Sequence, residues 1–359
     1  MRRTLLILFV AAIGMGLVWL GCSNEPANIT GPASELQPTA KPIGGPPGLA
    51  RAMAAQEKHT SRLMALPDVV GTATGLGPEG RPAILVLTKT AGVRGIPRTL
   101  DGVPVIAKVT GEIRALRPGK GKKPGGGGKG LESTDRWPRP VPIGVSTGHP
   151  AITAGTIGCR VKDSAGNVYA LSNNHVYADE NLASIGDKVI QPGRYDGGAL
   201  PDDEIGTLAD FEPIVFSRSA NNVIDAAIAA TSTANLGNAT PNDGYGTPKL
   251  ATAEAKIDQW VMKYGRTTGQ TKGKVYAINA TVDVGYSSGT ARFVDQIIIT
   301  PGSVSAGGDS GSLVVVHDKK GKREGLEHRM PVGLLFAGSD LFTVANPIDD
   351  SVDLVIELA

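Results

Sequence analysis

The chain has 359 residues, which is too long for one small domain. Its formal net charge of +2 at pH 7 is close to balance and gives no reason to expect nucleic-acid binding. The 48 glycines and the low content of aromatic residues suit many short strands joined by turns, and they argue against a helical bundle.

The N-terminus has the pattern of an export signal. Arg2 and Arg3 give it a basic start, Thr4–Leu20 carries no charge, and Cys22 follows a glycine. A stretch this short before a small residue predicts a signal, because a spanning helix needs about 20 apolar residues. The Gly-Cys ending resembles a bacterial lipoprotein signal, which implies that Cys22 is lipidated, although Trp19 leaves ordinary secretion or an uncleaved anchor open. We therefore expect an exported protein, either held at a membrane of the cell envelope by this lipid or signal anchor, or secreted.

A tether and a small domain are predicted to follow. Residues 23–48 are rich in Pro, Ala, Gly and Thr and predict a flexible tether. The alanine-rich run Leu49–Leu66 predicts a helix. Apolar runs then predict three strands, at residues 69–76, 83–88 and 103–115. Together these predict an α+β domain at 49–118, and the sequence leaves open whether it is a folding pro-domain, a regulatory cover over a cleft or a spacer.

A second linker is predicted at residues 119–150, where lysines, a run of glycines and prolines follow one another. This cationic strip could contact anionic lipid or a cell-wall polymer, but a solvated hinge is the simpler interpretation. From 151 to 359 the chain becomes a series of short β runs. Cys159 lies in one of them, and Cys22 is the other of the two cysteines. We therefore expect no disulfide and a buried, inert thiol at Cys159.

No metal-binding or nucleotide-binding motif occurs in the sequence, so we expect neither a bound metal nor a cofactor. The segment Tyr195–Glu204 is acidic, but it matches no calcium loop of known spacing. We expect its carboxylates to be hydrated.

One turn carries the strongest chemical signal. Gly308, Asp309, Ser310 and Gly311 precede the apolar run Leu313–Val316, which predicts a buried strand. The glycines allow a sharp turn in which the N–H groups of Gly308 and Ser310 point to one spot, as an oxyanion hole requires. A surface hairpin with the same residues is the alternative, so the interpretation of Ser310 as a nucleophile depends on a base and an acid upstream.

His175 is the candidate base, because it follows an apolar strand at a turn, where a rigid element would position it. The other four histidines lie in a helical stretch, in a linker or beside a Lys/Arg-rich segment. Asp225 is the candidate acid, since a carboxylate within the apolar run Val223–Ala229 is costly to bury unless it is hydrogen-bonded. The competing acids lie in polar surroundings and are expected to be solvated: Asp202, Asp203 and Asp210.

Segments around these three residues resemble those of a known family. Residues 172–176, 223–227 and 308–313 look like the signature segments of trypsin-like serine proteases, in the same chain order. The segment Tyr264–Gln270 resembles the bacterial, alpha-lytic-type branch of that family. The segment Pro331–Ser339 resembles the strand that lines its substrate pocket.

The resemblance covers roughly residues 152–358. It implies an all-β, chymotrypsin-like fold of two antiparallel six-stranded β-barrels at 151–359, preceded by the small α+β domain. It also implies a catalytic triad of His175, Asp225 and Ser310, and hence a serine endopeptidase that acts on proteins or peptides. The N-terminal domain resembles those that precede the protease domain in related bacterial proteins.

The same resemblance implies a structural ion pair between Arg266 and Asp309, where animal members use a cut N-terminus. Arginine offers a rigid fork of donors that suits a buried carboxylate. The alternative is that Arg266 is a surface hairpin charge. The sequence departs from the family pattern at Asn173 and Asn174, where small residues are usual. It departs again at Phe336, where a serine usually helps to hold the acid.

By resemblance, five residues define the substrate pocket: Val304, Ser305, Ala306, Phe336 and Gly338. None is an acid that would receive Lys or Arg, so we predict a small or modestly apolar residue before the scissile bond. Two alternatives to a general endopeptidase stay open. One is a weak or inactive protease fold that binds peptides, and the other is a protease that acts mainly on itself. We expect a monomer.

Overall fold

The computed structural model describes residues 45–116, 130–321, 323–349 and 356–358. These residues belong to one compact unit, Ile43–Ala359. The predicted signal with Cys22, nearly all of the predicted tether and the Gly/Lys-rich part of the predicted linker lie outside the described residues. Among the helices that are described, none is long and apolar enough to cross a membrane.

The N-terminal part packs one helix against a small group of strands. Its elements are α1 Leu49–Met64, β1 Val69–Leu76, β2 Pro82–Thr88, β3 Thr99–Leu100, β4 Val103–Val109 and β5 Ile113–Ala115. Ala52 and Leu63 of α1 are buried in one cluster with Ile84 and Val86 of β2, which is the apolar face that the helical pattern predicts. The predicted strand at 103–115 is two strands, because Gly111 turns the chain with a φ of 72°.

The next segment forms the first barrel from short strands and one helical turn. Its elements are β6 Ser146–Thr147, β7 Gly155–Thr156, β8 Cys159–Asp163, β9 Val168–Ser172, α2 Asn174–Tyr177, β10 Lys188–Ile190, β11 Glu204–Phe211 and β12 Ala227–Thr231, with β21 Ile356–Leu358 from the end of the chain. Six of these strands form an antiparallel sheet in the order β10-β11-β12-β9-β8-β21.

Residues 130–150 belong to this barrel and not to a linker. Val141, Ile143 and Val145 are buried in the same core as Ile157 of the barrel. The chain is also fixed by its backbone, since Gly144 N donates to Ile157 O at 2.7 Å. The prediction of a linker over all of 119–150 is therefore wrong from residue 130 onward. The side chains of this segment are buried because apolar residues alternate along it. Its prolines and glycines limit strand pairing but do not prevent this burial.

The second barrel contains six strands and a small hairpin. Its elements are β13 Trp260–Gly265, β14 Gly269–Gly285, β15 Thr290–Thr300, β16 Leu313–Val316, β17 Lys319–Lys320, β18 Arg323–Glu324, β19 Pro331–Gly338 and β20 Thr343–Pro347. The strands follow the order β13-β16-β19-β20-β15-β14, and β14 also pairs with β13, which closes the sheet. Valines, isoleucines and leucines fill this barrel, as in the buried cluster of Val275, Ile299 and Leu335.

The N-terminal strands continue the sheet of the second barrel. β1 pairs antiparallel with β14, with Gly71 opposite Val282, and β2, β4 and β3 follow it outward. β5 lies between two strands of the barrel, parallel to β14 and antiparallel to β19. The predicted fold class, all-β with a small α+β unit at the N-terminus, is confirmed. The N-terminal unit also reaches the end of β19, where the predicted site lies.

Candidate active site

His175 and Asp225 meet in the first barrel. β9 pairs with β12 so that Ser172 lies opposite Ala227, and this register brings the residues just beyond β9 beside those just before β12. His175 Nδ1 lies 2.6 Å from Asp225 Oδ2, and the backbone N–H of His175 donates to Asp225 Oδ1 at 3.2 Å. Both side chains are buried. An imidazole held this way by a carboxylate keeps its other nitrogen, Nε2, for a reacting group.

Asp225 is held by residues that the sequence analysis did not single out. Tyr286 Oη donates to Asp225 Oδ2 at 2.8 Å, and Asp225 N donates to Asn346 Oδ1 at 3.1 Å. Asn173, which departs from the family pattern, donates from Nδ2 to the backbone oxygen of Asp225 at 2.7 Å. Asn174 donates to Glu212 O at 2.7 Å. The two asparagines therefore brace the histidine turn.

The Ser310 turn is anchored through the carboxylate of Asp309. Asp309 Oδ1 accepts from Thr267 N at 2.8 Å, and its Oδ2 accepts from Thr268 Oγ1 at 2.7 Å and from Ala306 N at 2.9 Å. Lys263 Nζ lies 3.5 Å from Oδ2, and both side chains of this ion pair are fully buried. Burial lowers the pKa of Lys263, and the negative charge of Asp309 opposes that shift.

The predicted ion pair between Arg266 and Asp309 is not the one that forms. Arg266 makes a bidentate pair with Asp196, with Nε–Oδ2 at 2.8 Å and Nη2–Oδ1 at 2.6 Å. Asp196 also accepts from Ser146 Oγ at 2.6 Å. The carboxylate of Asp309 already has hydrogen-bond or ion-pair partners in backbone N–H groups, a threonine and Lys263. The planar guanidinium of Arg266 therefore binds Asp196, whose carboxylate can accept from it at both oxygens.

Acids that were expected to be hydrated are partly structural. Asp203 is buried and binds Arg136, with Nη2–Oδ2 at 2.7 Å. This hydrogen bond holds the pKa of Asp203 below its ordinary value. The acidic segment 195–204 thus supplies carboxylates to arginines. Within the described ranges, no group of three or more His, Cys, Asp or Glu side chains is placed to hold a metal ion.

A backbone carbonyl of the same chain occupies the space beside Ser310. Leu116 O accepts from Gly308 N at 2.7 Å and lies 3.1 Å from Ser310 Oγ. Gly308 can present its N–H in this way because its φ is 100°, which favours glycine. Leu116 N donates to Phe336 O at 3.2 Å, and Ser310 Oγ lies 3.2 Å from the same oxygen. One of the two predicted oxyanion donors, Gly308, therefore contacts a peptide carbonyl.

His175 Nε2 and Ser310 Oγ are not hydrogen-bonded to each other in this state. Nε2 is buried and has no hydrogen-bond partner among the described residues. Ser310 Oγ lies within hydrogen-bond distance of the Leu116 and Phe336 carbonyls. The structure thus brings His175 and Asp225 into direct contact, whereas Ser310 Oγ lies beside the carbonyl oxygens of Leu116 and Phe336.

The side chain of Leu116 lies where the substrate pocket was predicted. A β-carbon on Gly338 would lie 3.4 Å from Leu116 Cδ2. Ser305, Ala306 and Gly338 line a cavity of about 720 Å³ together with Leu116. Leu116 also packs against the buried cluster that contains Val304. Four of the five predicted pocket residues are therefore near this leucine.

Phe336 is the exception among the predicted pocket residues. Its ring is fully buried in the core of the second barrel, 4.8 Å from the ring of Phe293 between centroids. The prediction that its side chain forms a pocket wall is therefore wrong, because a large aromatic ring gains more by packing in the core. Phe336 contributes its carbonyl to the cleft.

Comparisons with known proteins find similar solved structures only. No protein-family model and no curated protein matches the chain. A Nocardiopsis protease is 18% identical, over 61% of this chain and 99% of that one, with a TM-score of 0.42. A serine protease specific for glutamic acid is 18% identical, over 61% and 100%, with a TM-score of 0.42. Thermobifida fusca protease A is 19% identical, over 61% and 99%, with a TM-score of 0.40. Because these values are low, the case for the site rests on its own geometry.

Proposed function

We propose that the chain is a serine endopeptidase that hydrolyses peptide bonds through an acyl-enzyme at Ser310. One observation carries the proposal. The carbonyl of Leu116 accepts from Gly308 N at 2.7 Å and lies 3.1 Å from Ser310 Oγ, which is the placement that a scissile carbonyl needs between an oxyanion donor and a nucleophile. The bound His175–Asp225 pair supplies a base in the same barrel cleft.

Each residue has a defined role in this reaction. The Ser310 hydroxyl turns from the Phe336 carbonyl toward His175 Nε2, which takes its proton as Oγ attacks the substrate carbonyl carbon. Asp225 fixes the imidazole through Nδ1 and stabilises its charged form. The N–H groups of Gly308 and Ser310 hold the oxyanion, and loss of one such donor typically slows an enzyme about 10²–10³-fold. His175 then protonates the leaving amine, and water hydrolyses the acyl-enzyme.

The proposal extends to the setting of this reaction. The substrate is a protein or peptide, because the occupied cleft holds an extended backbone by hydrogen bonds. The signal-like N-terminus supports export and attachment of the chain to the cell envelope through Cys22 or an uncleaved signal. We propose that the enzyme acts as a monomer.

One observation favours a second candidate function, an inactive protease fold that binds peptides. Ser310 Oγ lies at the carbonyls of Leu116 and Phe336, while His175 Nε2 is without a hydrogen-bond partner among the described residues. In an inactive protease fold, Ser310 Oγ would remain without a hydrogen bond to His175 Nε2 even after Leu116 has left the cleft. The two functions therefore differ in whether Ser310 becomes reactive once Leu116 no longer fills the pocket.

Labelling with a fluorophosphonate probe separates them. The full chain is compared with Leu116→Asp, whose charged side chain does not suit the apolar pocket, so that the cleft opens. An endopeptidase is expected to label in the Leu116→Asp chain and to lose the label when Ser310→Ala or His175→Ala is added. A Leu116→Asp chain that unfolds cooperatively on heating, and so is folded, but is not labelled by the probe would support the peptide-binding function.

A further inference from the structure

We propose that Glu180 and Tyr286 position Asp225 for His175 by joining the two barrels beside the histidine turn. Tyr286 binds the carboxylate directly, and Glu180 holds the turn that carries Tyr286. The proposal rests on the proposed function and adds two positioning residues to it, one from each barrel. Both act through Asp225 and His175, and neither supplies a reacting atom.

The carboxylate of Asp225 is fully buried, so its orientation depends on hydrogen bonds. The torsion that rotates an aspartate carboxylate has broad minima, and rotamer preference alone does not fix it. His175 reaches both oxygens, from Nδ1 at 2.6 Å and from its backbone N–H at 3.2 Å. Because the imidazole changes its charge during the reaction, a donor from outside the histidine turn is needed to keep the carboxylate in place.

Tyr286 supplies this donor. Its hydroxyl donates to Asp225 Oδ2 at 2.8 Å, the same oxygen that His175 Nδ1 contacts. The ring of Tyr286 meets the His175 ring edge-on, at 5.8 Å between centroids, and it meets the ring of Phe216 edge-on at 5.7 Å. Packing against two rings restricts the tyrosine to one rotamer, so its hydroxyl stays at the carboxylate.

Tyr286 belongs to the other barrel. It lies in the turn that joins β14, which ends at Gly285, to β15, which begins at Thr290. Tyr286 N donates to Gly289 O at 2.8 Å and closes this turn. A turn at the end of a long hairpin moves more than the strands that it connects. The hydroxyl of Tyr286 is therefore placed only as accurately as the turn is held.

Glu180 holds the turn by its backbone. Its Oε1 accepts from Ser287 N at 3.2 Å, and its Oε2 accepts from Ser288 N at 2.7 Å. The side chain of Glu180 is buried, and hydrogen bonds to a buried charged group are stronger than those between neutral groups. Two successive N–H groups directly after Tyr286 are thus fixed to the first barrel.

The backbone around Glu180 is strained in a way that serves this contact. Asp179, Glu180 and Asn181 have φ values of 46°, 57° and 74°, a left-handed conformation that is uncommon outside glycine. Hydrogen bonds of Asn181 keep the chain there, since its Nδ2 donates to Ile214 O at 2.8 Å and its Oδ1 accepts from Asn174 Nδ2 at 2.8 Å. Such strain persists only where the surroundings impose it, and it is concentrated at functional sites.

The contacts form a closed path through both barrels. From His175 the path leads to Asp225, then to Tyr286 and its turn, and then to Glu180, which lies five residues after the histidine in the chain. A break at any step gives the carboxylate more freedom relative to the imidazole. We expect this freedom to weaken the His175–Asp225 hydrogen bond and to slow the chemical step more than it weakens binding.

The first measurement follows the His175 Nδ1–H proton by NMR in the full chain labelled with ¹⁵N-histidine. The signal is assigned by its loss in His175→Ala. Tyr286→Phe removes the hydroxyl and keeps the ring, and the exchange of this proton with water is expected to become at least about tenfold faster, as loss of one hydrogen bond to a charged group predicts. Glu180→Gln removes the charge and keeps the shape, so a smaller acceleration is expected.

The β8–β9 hairpin offers matched controls. Tyr169 Oη donates to Asp163 Oδ2 at 3.0 Å, and Asp163 Oδ1 accepts from Asn167 N in the turn at 2.8 Å. Tyr169→Phe and Asp163→Asn therefore remove the same two kinds of contact at a place outside the triad. Both variants are expected to exchange the His175 proton at the wild-type rate.

The second measurement is the rate of fluorophosphonate labelling in the Leu116→Asp background at several probe concentrations. This separates the maximal rate from the half-saturating concentration. Tyr286→Phe is expected to lower the maximal rate about tenfold and to leave the half-saturating concentration unchanged. Glu180→Gln added to Tyr286→Phe is expected to lower the rate no further, because Glu180 acts through the tyrosine hydroxyl.

The outcomes separate this inference from the proposed function. Exchange and labelling in Tyr286→Phe that equal those in Tyr169→Phe would overturn the inference and leave the proposed function standing. An effect of Glu180→Gln that is equally large with and without the Tyr286 hydroxyl would overturn the role of Glu180. A Leu116→Asp chain that is folded and does not label would overturn the proposed function, and the proton exchange rates would then decide the positioning roles alone.

Discussion

Lys263 Nζ lies 3.5 Å from Asp309 Oδ2, and neither side chain is exposed to solvent. Lys263 also donates to Gly269 O at 2.9 Å, so its ammonium joins the strand pair β13–β14 to the turn that carries Ser310. A buried charge of this kind needs its partner, because desolvation is compensated only while the pair is intact. The turn therefore depends on a lysine from the neighbouring strand.

Replacing Lys263 should destabilise the fold and prevent the fluorophosphonate labelling of Ser310. Lys263→Met leaves the Asp309 carboxylate buried beside an apolar side chain, and we expect a loss of about 3–5 kcal/mol in the free energy of unfolding. Urea denaturation and fluorophosphonate labelling measure the two effects. Lys274→Met changes a lysine on the surface of the adjacent strand. It should leave the free energy of unfolding and the labelling equal to those of the wild type within experimental error. Adding Asp309→Asn to Lys263→Met should cost less than the sum of the two single changes, and full additivity would contradict the pair.

The interaction between Arg266 and Asp196 should be measurable as a coupling free energy in a double-mutant cycle. Both side chains are buried and joined by two hydrogen bonds, so Arg266→Ala and Asp196→Ala should couple by about 1–3 kcal/mol in urea denaturation. Asp283→Ala serves as the control, since Asp283 is a buried acid that binds a different arginine, Arg292, at 2.8 Å. A coupling of Arg266 to Asp309 larger than its coupling to Asp196 would contradict this assignment.

Gly311, which follows Ser310, should tolerate no side chain. Gly311 has a φ of 91°, and a β-carbon there would lie 2.2 Å from Ser172 Oγ and 2.3 Å from Thr156 O. Backbone strain and overpacking together predict that Gly311→Ala loses about 2–5 kcal/mol and the labelling of Ser310. Gly166 has a similar φ of 86° and nothing within 4 Å of the added carbon. Gly166→Ala should therefore lose about 1–2 kcal/mol and keep its labelling, and equal losses would contradict the role of the close contacts.

Cys159 should stay unreactive while the chain is folded. Burial raises the pKa of its thiol from 9.0 to about 12, so almost no thiolate exists at pH 8. Because the pKa is raised on folding, the neutral thiol stabilises the fold below pH 9, and this contribution is lost as pH rises from about 9 to about 12. Iodoacetamide labelling in a Cys22→Ser background should be fast only in denaturant. Fast labelling of the native chain at pH 8 would contradict the burial.

The sequence could predict the members of the site because each stands in a short local pattern. His175 follows an apolar strand, Asp225 interrupts an apolar run, and Ser310 stands between glycines. Each of these patterns reflects one strand end and one turn, which local chemistry determines. The pairing of His175 with Asp225 follows once β9 and β12 are neighbours.

Contacts between distant segments could not be predicted in the same way. Arg266 and Lys263 are three residues apart, and only the strand register decides which of the two cations reaches Asp309. Tyr286 lies in a turn with nothing in its neighbours that indicates a carboxylate partner. Leu116 reaches Ser310 across 194 residues, through a strand addition that depends on the edges left by β14 and β19. These contacts depend on topology, which no local pattern encodes.

The pairing of β1 with β14 has a consequence for any form of the chain that lacks its N-terminal strands. β14 pairs with β13 from Gly269 to Lys274, and the same side of β14 pairs with β1 from Ala277 to Val282. Removal of β1 strips main-chain donors and acceptors from that second half and leaves an open sheet edge. An open edge recruits other strands, so a chain without β1 should be prone to self-association unless another segment covers this edge.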